Sequence, residues 1–200
     1  RDLEIRGAGN LLGPEQHGHM ESVGYDMYCR LLDEAVRELK GEPLQDVDEE
    51  ISIDINISAY IDDEYISSEN QKIDMYKKIA SIQDEDDMAD IEDELMDRYG
   101  DIPEPVNNLI QIAYIKTLAR ACGFVSIQEK NDLVIFQYKP GVQVDFEVLS
   151  ALMDKYKRRI LFNASSKPYI SYRIAGVRKQ EVLENIKILL QDIIKLKCKQ

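Results

Sequence analysis

Between Ile51 and Ser58 isoleucine alternates without a break with a small polar or acidic residue: Ile51, Ile53, Ile55 and Ile57 against Ser52, Asp54, Asn56 and Ser58. A period of two places the isoleucines on one face of an extended strand and the polar residues on the other, so one face is buried and the other wet or hydrogen-bonded. The residues that follow read as helices. Ser68 with Gln71 three positions on has the form of a capping box, and Ile73, Tyr76, Ile79 and Ala80 make an apolar stripe. From Asp84 the chain turns acidic but keeps helical order, with Met88, Ile91, Leu95 and Tyr99 on one side and Gly100 as the stop. A third helix opens at Pro103 and runs through Val106, Leu109, Ile110, Ala113 and Leu118 toward Cys122 and Gly123.

Strands are expected near Phe124 to Glu129 and Leu133 to Tyr138, joined by Asn131-Asp132, and then a helix from Asp145 carrying Phe146, Leu149, Leu152 and Tyr156. Two more strands, Ile160 to Phe162 and Tyr169 to Ile174, precede a last helix with Leu183, Ile186, Leu190 and Ile193. The expectation is an α+β fold, a mixed sheet covered by several helices.

Ahead of this domain stands a glycine-rich opening. Gly7, Gly9, Gly13, Pro14 and Gly18 let the backbone turn sharply, and Arg6 and Gln16 sit between the turns as two polar heads. Gly13 falls one position late for a dinucleotide fingerprint, and no Gly-Lys-Ser/Thr occurs, so phosphate cradling by this chain alone is not expected. Tyr28, Leu31, Leu32, Ala35, Val36 and Leu39 then recur at helical spacing until Gly41 and Pro43. The polar, acidic segment 42–50 reads as a linker, dividing the chain into 1–41, 42–50 and 51–200.

With 38 acidic against 25 basic residues the net charge is −13. Such a chain repels phosphate, so contact with DNA is expected only locally, near Arg1 and Arg6, and the remainder should meet protein. No run approaches the roughly 18 apolar residues of a membrane span, which predicts a soluble chain without a membrane role. Cys29, Cys122 and Cys198 are far apart and suggest the reduced thiols of a cytoplasm. His17 and His19 lack further ligands, so no metal is expected.

Asp87, Asp90, Glu94 and Asp97, at steps of three and four, form a carboxylate stripe along the acidic helix. Each like-charged neighbour costs an isolated helix about 0.2–0.5 kcal/mol, and acids near the carboxyl end oppose the helix dipole. Acid–base or metal chemistry needs carboxylates converging from several elements; a stripe on one face converges on nothing, which leaves solvated surface or a protein contact. Tyr169 and Tyr172 beside Arg173 read as packing residues, and Ser165-Ser166 has no histidine to act as base.

The opening Arg-Gly-x-Gly-x-x-x-Gly-x-x-Gln run, continuing through Val23-Gly24-Tyr25-Asp26 and Tyr28 to Leu39-Lys40-Gly41, resembles the translocation motif shared by bacterial transcription-repair coupling factors and the branch-migrating helicase RecG. Later segments resemble the carboxy-terminal domain of the coupling factors. The resemblance implies a motor-domain origin for the opening loop and helix, with Arg6, Gly7, Gly9, Gly13, Gln16 and Gly18 as motif residues. Arg6 and Gln16 would couple ATP-driven closure of two motor lobes to movement along double-stranded DNA, in a bacterial cytoplasm. ATP and magnesium would belong to that motor, whose nucleotide-binding motifs are missing here, so the chain alone should neither hydrolyse ATP nor translocate.

Glu94-Leu95-Met96-Asp97-Arg98-Tyr99-Gly100 is similar to the family segment whose two carboxylates, here Glu94 and Asp97, pack against the factor's own amino-terminal, UvrB-like module. That contact would mask the surface that recruits UvrA until RNA polymerase engagement and translocation release it. Asp87 and Asp90 would extend it. The alternatives are an independent nucleotide-binding or enzymatic α+β domain, and a DNA-binding module centred on Arg1 and Arg6.

Overall fold

A computed structural model describes residues 51–198. The expected motif and helix of 1–41, with Arg6, Gly7, Gly9, Gly13, Gln16 and Gly18, and the linker at 42–50 lie outside the described residues. In chain order the elements are β1 (Ser52–Asp54), α1 (Glu69–Ala80), α2 (Glu85–Tyr99), α3 (Glu104–Cys122), β2 (Phe124–Lys130), β3 (Leu133–Tyr138), α4 (Phe146–Tyr156), β4 (Ile160–Asn163), β5 (Tyr169–Arg173) and α5 (Val182–Lys197). The fold is α+β, as the alternating periodicities predict.

The strands form one mixed sheet in the order β1-β2-β3-β5-β4, with β1 parallel to β2 and every other pair antiparallel. Register explains why one face is buried. Ile53, Ile127, Phe136, Ile170 and Phe162 stand side by side across all five strands, an apolar row that only a helix layer can cover. α3, α4 and α5 supply that layer, and α1 and α2 pack behind α3. On the opposite face the row is Asp54, Gln128, Ile135, Ser171 and Leu161, consistent with a sheet open on that side.

α3 is the centre of the molecule. Ten of its residues are buried, among them Leu109, Ile110 and Ile115 at 0% exposure, because it packs on the sheet, on α5 and on the α1–α2 pair. It ends where Gly123 takes φ +87°, a conformation that side chains rarely adopt, so the chain can turn directly into β2. Asn131, at φ 55°, turns β2 into β3.

Four expectations shift. The isoleucines of 51–57 do point inward, but only Ser52–Asp54 is paired, because the amide of Ile57 turns back to the Ile55 carbonyl and that of Asn56 is taken by the Glu129 carboxylate. Ser68 caps α1 as expected, yet the buried stripe is Lys72, Met75, Tyr76 and Ile79, with Ala80 exposed and Ile73 half-buried. The Lys72 ammonium is tolerated there because it meets Asp63. Pro103 is the cap of α3 rather than its first residue, with Pro105 inside the first turn. Phe146, expected in the core, is 71% exposed beside the outermost strand.

Candidate protein-interaction face on the acidic helix

α2 is fixed on its inner side by Met88, Ile91 and Leu95, all buried. Its amino-terminal end is closed reciprocally: the Asp84 carboxylate accepts from the Asp87 amide at 2.9 Å, and the Asp87 carboxylate accepts from the Gln83 amide at 2.8 Å. Glu85, in the same turn, accepts from Gln191 of α5 at 2.8 Å. The acids of this turn also face the positive end of the helix dipole, so the first third of the acidic run stabilises the helix it belongs to.

Glu94 has a similar structural engagement. Lys78 of α1 donates to both of its carboxylate oxygens at 2.7 Å, and Arg98, one turn on, donates at 2.6 Å. Hydrogen bonds from Lys78 first and Arg98 second hold its carboxyl below the usual glutamate range, outweighing the small opposing effect of burial. Glu94 therefore bridges α1 to α2, and the repulsion expected along the stripe is offset at this position.

Asp90 and Asp97 are different. Both are exposed, and no hydrogen bond or ion pair engages either among the described residues. Asp93 is exposed beside them, and Met96 stands 55% exposed next to Asp97. The end of the helix that carries them is held firmly. Tyr99 packs against Tyr65 at 5.7 Å between ring centroids, donates to Gln71 of α1 at 3.2 Å, and carries the Arg98 guanidinium 5.0 Å above its ring. The Tyr65 hydroxyl donates to the Gly100 carbonyl at 3.2 Å.

Of the four carboxylates expected to act together, the structure thus engages Asp87 in the cap and Glu94 in the α1–α2 bridge, and presents Asp90 and Asp97 outward. The Glu94–Arg98 pair was readable from its spacing of four. Lys78 was not, because it arrives from another helix. The chemistry available to this face is charge-assisted hydrogen bonding to cationic side chains, with Met96 as an apolar contact.

Elsewhere the described residues hold a shallow cleft of about 260 Å³, lined by Ile57, Tyr60, Glu104, Asn108 and Lys179 among others. Asn108 is already engaged there, donating to the Ser58 carbonyl at 2.9 Å. Among the described residues no group of three or more His, Cys, Asp or Glu is placed to hold a metal ion, and no helix is long and apolar enough to cross a membrane. Tyr172 is buried and meets Tyr156 edge-on at 6.0 Å, the packing role expected of it.

Residues 55–149, which include α2, match the family model described as the TRCF domain. The chain is 36% identical to the transcription-repair-coupling factor of Borreliella burgdorferi over 193 residues, 94% of this chain and 17% of that protein. It is likewise 36% identical to the transcription-repair-coupling factor of Staphylococcus aureus over 197 residues, 96% of this chain and 16% of that protein. The chain therefore spans about a sixth of the length of these relatives. A crystal structure of the C-terminal domain of a transcription-repair coupling factor shares the fold at a TM-score of 0.69 and 21% identity, over 76% of this chain and 96% of that one.

Proposed function

Because this chain belongs to the transcription-repair-coupling factor family, as the C-terminal region of such a factor, we propose that it acts as an interaction domain that restrains the full-length protein. The proposed partner is the factor's own amino-terminal, UvrB-like module. Contact with it would cover the surface that recruits UvrA, and engagement of RNA polymerase with translocation would open it. The reading rests on one observation above others. α2 displays Asp90, Asp93 and Asp97 beside the exposed Met96, on a helix held rigid by its buried side and by the Glu94 bridge. Carboxylates presented in this way suit arginines on a facing domain. Desolvation nearly balances the attraction in such contacts, so a modest change in the rest of the protein can switch them.

In this account the opening motif serves the motor. Arg6 and Gln16 on the glycine-hinged loop would change partners as the lobes close on ATP and magnesium, coupling closure to movement along double-stranded DNA. The carboxylates of α2 would repel that DNA, leaving their face to a protein. The test is deletion of residues 51–200 from the full-length factor. Affinity for UvrA should rise; an unchanged affinity would refute the masking role.

A further inference from the structure

The helix layer reaches further than the sheet it covers. β4 is an outermost strand, paired with β5 along one edge, with no strand along the other among the described residues. α4 lies over its buried face, and Phe146 meets Phe162 edge-on with ring centroids 6.3 Å apart. Val148, Leu149 and Leu152 are the buried residues of α4. Phe146 and Met153, seven residues apart and so nearly in line along the helix, are instead 71% and 42% exposed. Both stand off the side of α4 that Val148, Leu149 and Leu152 bury, and Phe146 reaches the edge strand itself. On the open face of the sheet Leu161 is 60% exposed. Large apolar side chains on both sides of a free strand edge are what edge strands normally avoid.

Charge selects the occupant. Lys157, Arg158 and Arg159 lead into β4 and Lys167 follows it, all four exposed, and no ion pair engages any of them among the described residues. These cations bracket β4, three before its first residue and one in the turn after its last, in a chain of net charge −13. We infer that the β4 edge receives an extended acidic segment of a partner protein as an added strand. The partner's apolar residues lie toward Phe146 and Met153, and its carboxylates reach Lys157, Arg158, Arg159 and Lys167. Pairing with a second copy of the same edge would bring two sets of cations together. Duplex DNA would satisfy the cations but leave Phe146 and Leu161 in water and face the acidic remainder of the chain. The surface lies on α4 and β4 and is independent of the role proposed for α2.

The test uses the 200-residue chain and a short labelled peptide of alternating valine and glutamate, followed by fluorescence anisotropy. A valine–lysine peptide and a short DNA duplex serve as comparators. The valine–glutamate peptide should bind, the valine–lysine peptide should not, and hydrogen exchange at Ile160–Asn163 should slow on binding. Arg158→Glu with Arg159→Glu should weaken binding by about tenfold or more, and Phe146→Ala by severalfold, while Asp97→Lys leaves it unchanged. Phe146 is exposed, so its replacement keeps the test decisive even if the charge reversal perturbs folding. Tighter binding of the duplex than of the valine–glutamate peptide would overturn the inference. So would an absence of saturable peptide binding, or affinity indifferent to these substitutions in folded protein.

Discussion

Glu94→Lys separates the structural duty of the acidic helix from its proposed contact. The substitution removes hydrogen bonds from Lys78 and Arg98 and puts a third cation between them. Lys78 and Arg98 are 47% and 42% exposed, so solvent screens what is lost, and repulsion of similar size is added. Together these give a destabilisation of about 1–2 kcal/mol for Glu94→Lys. For a domain of this size that is a fall in Tm of about 2–8 °C, measured by calorimetry or circular dichroism at low salt and smaller at high salt. Asp97→Lys touches neither cation and places a lysine in the last turn, where it suits the helix dipole, so stability should stay within about 0.5 kcal/mol. A Tm for Glu94→Lys within about 1 °C of wild type, or an equal loss for Asp97→Lys, would refute the bridge.

The bridge also sets a pH dependence. Glu94 has a folded-state pKa below its usual value of 4.5, so its contribution is complete above that value and lost as pH falls through the folded pKa. The stability difference between wild type and Glu94→Gln should therefore hold from about pH 7 to about pH 5 and shrink below, as followed by urea unfolding.

Other consequences lie away from α2. The Asp145 carboxylate accepts from the amides of Glu147 and Val148 at 2.9 and 3.1 Å, so Asp145→Ala should cost about 1 kcal/mol in urea unfolding. Lys157 turns α4 toward β4 at φ 52° and ψ −127°, a conformation that favours glycine, and Lys157→Gly should raise the urea midpoint by a gain of about 1 kcal/mol. Burial pushes the Cys122 thiol up to about 12, whereas Cys198 is exposed. A thiol reagent at neutral pH should modify Cys198 and spare Cys122 until the chain unfolds, as read by peptide mass spectrometry.

Local chemistry carried most of the fold. Ser68, Asp145, Gly123 and Asn131-Asp132 mark a helix start, a second start, a stop and a turn because each acts on backbone groups within a few residues. What sequence missed depends on neighbours from elsewhere. Lys72 looks like a solvent-facing residue until Asp63 is placed against it, and that pairing lets α1 rotate its buried side toward Met75. Phe146 has the spacing of a core residue, but the sheet beneath it ends at β4.

The candidate face was legible as a stripe and not as a division of labour. Periodicity grouped Asp87, Asp90, Glu94 and Asp97; only the positions of Gln83 and Lys78 show that Asp87 and Glu94 hold the domain together. The basic run at Lys157, Arg158 and Arg159 was visible in the letters but masked by the overall charge, an average that says nothing of how cations cluster.

In the proposed function the outward carboxylates of α2 make the contact that restrains the full-length factor. It is tested most directly by calorimetric titration of this chain with the separately expressed amino-terminal, UvrB-like module, at low and high salt. Wild type is compared with Asp90→Lys plus Asp97→Lys, a variant that leaves the Glu94 bridge in place. Binding should weaken with salt and fall by about tenfold or more in the variant while its Tm stays near that of wild type. Binding indifferent to both the salt and the charge reversal would contradict it.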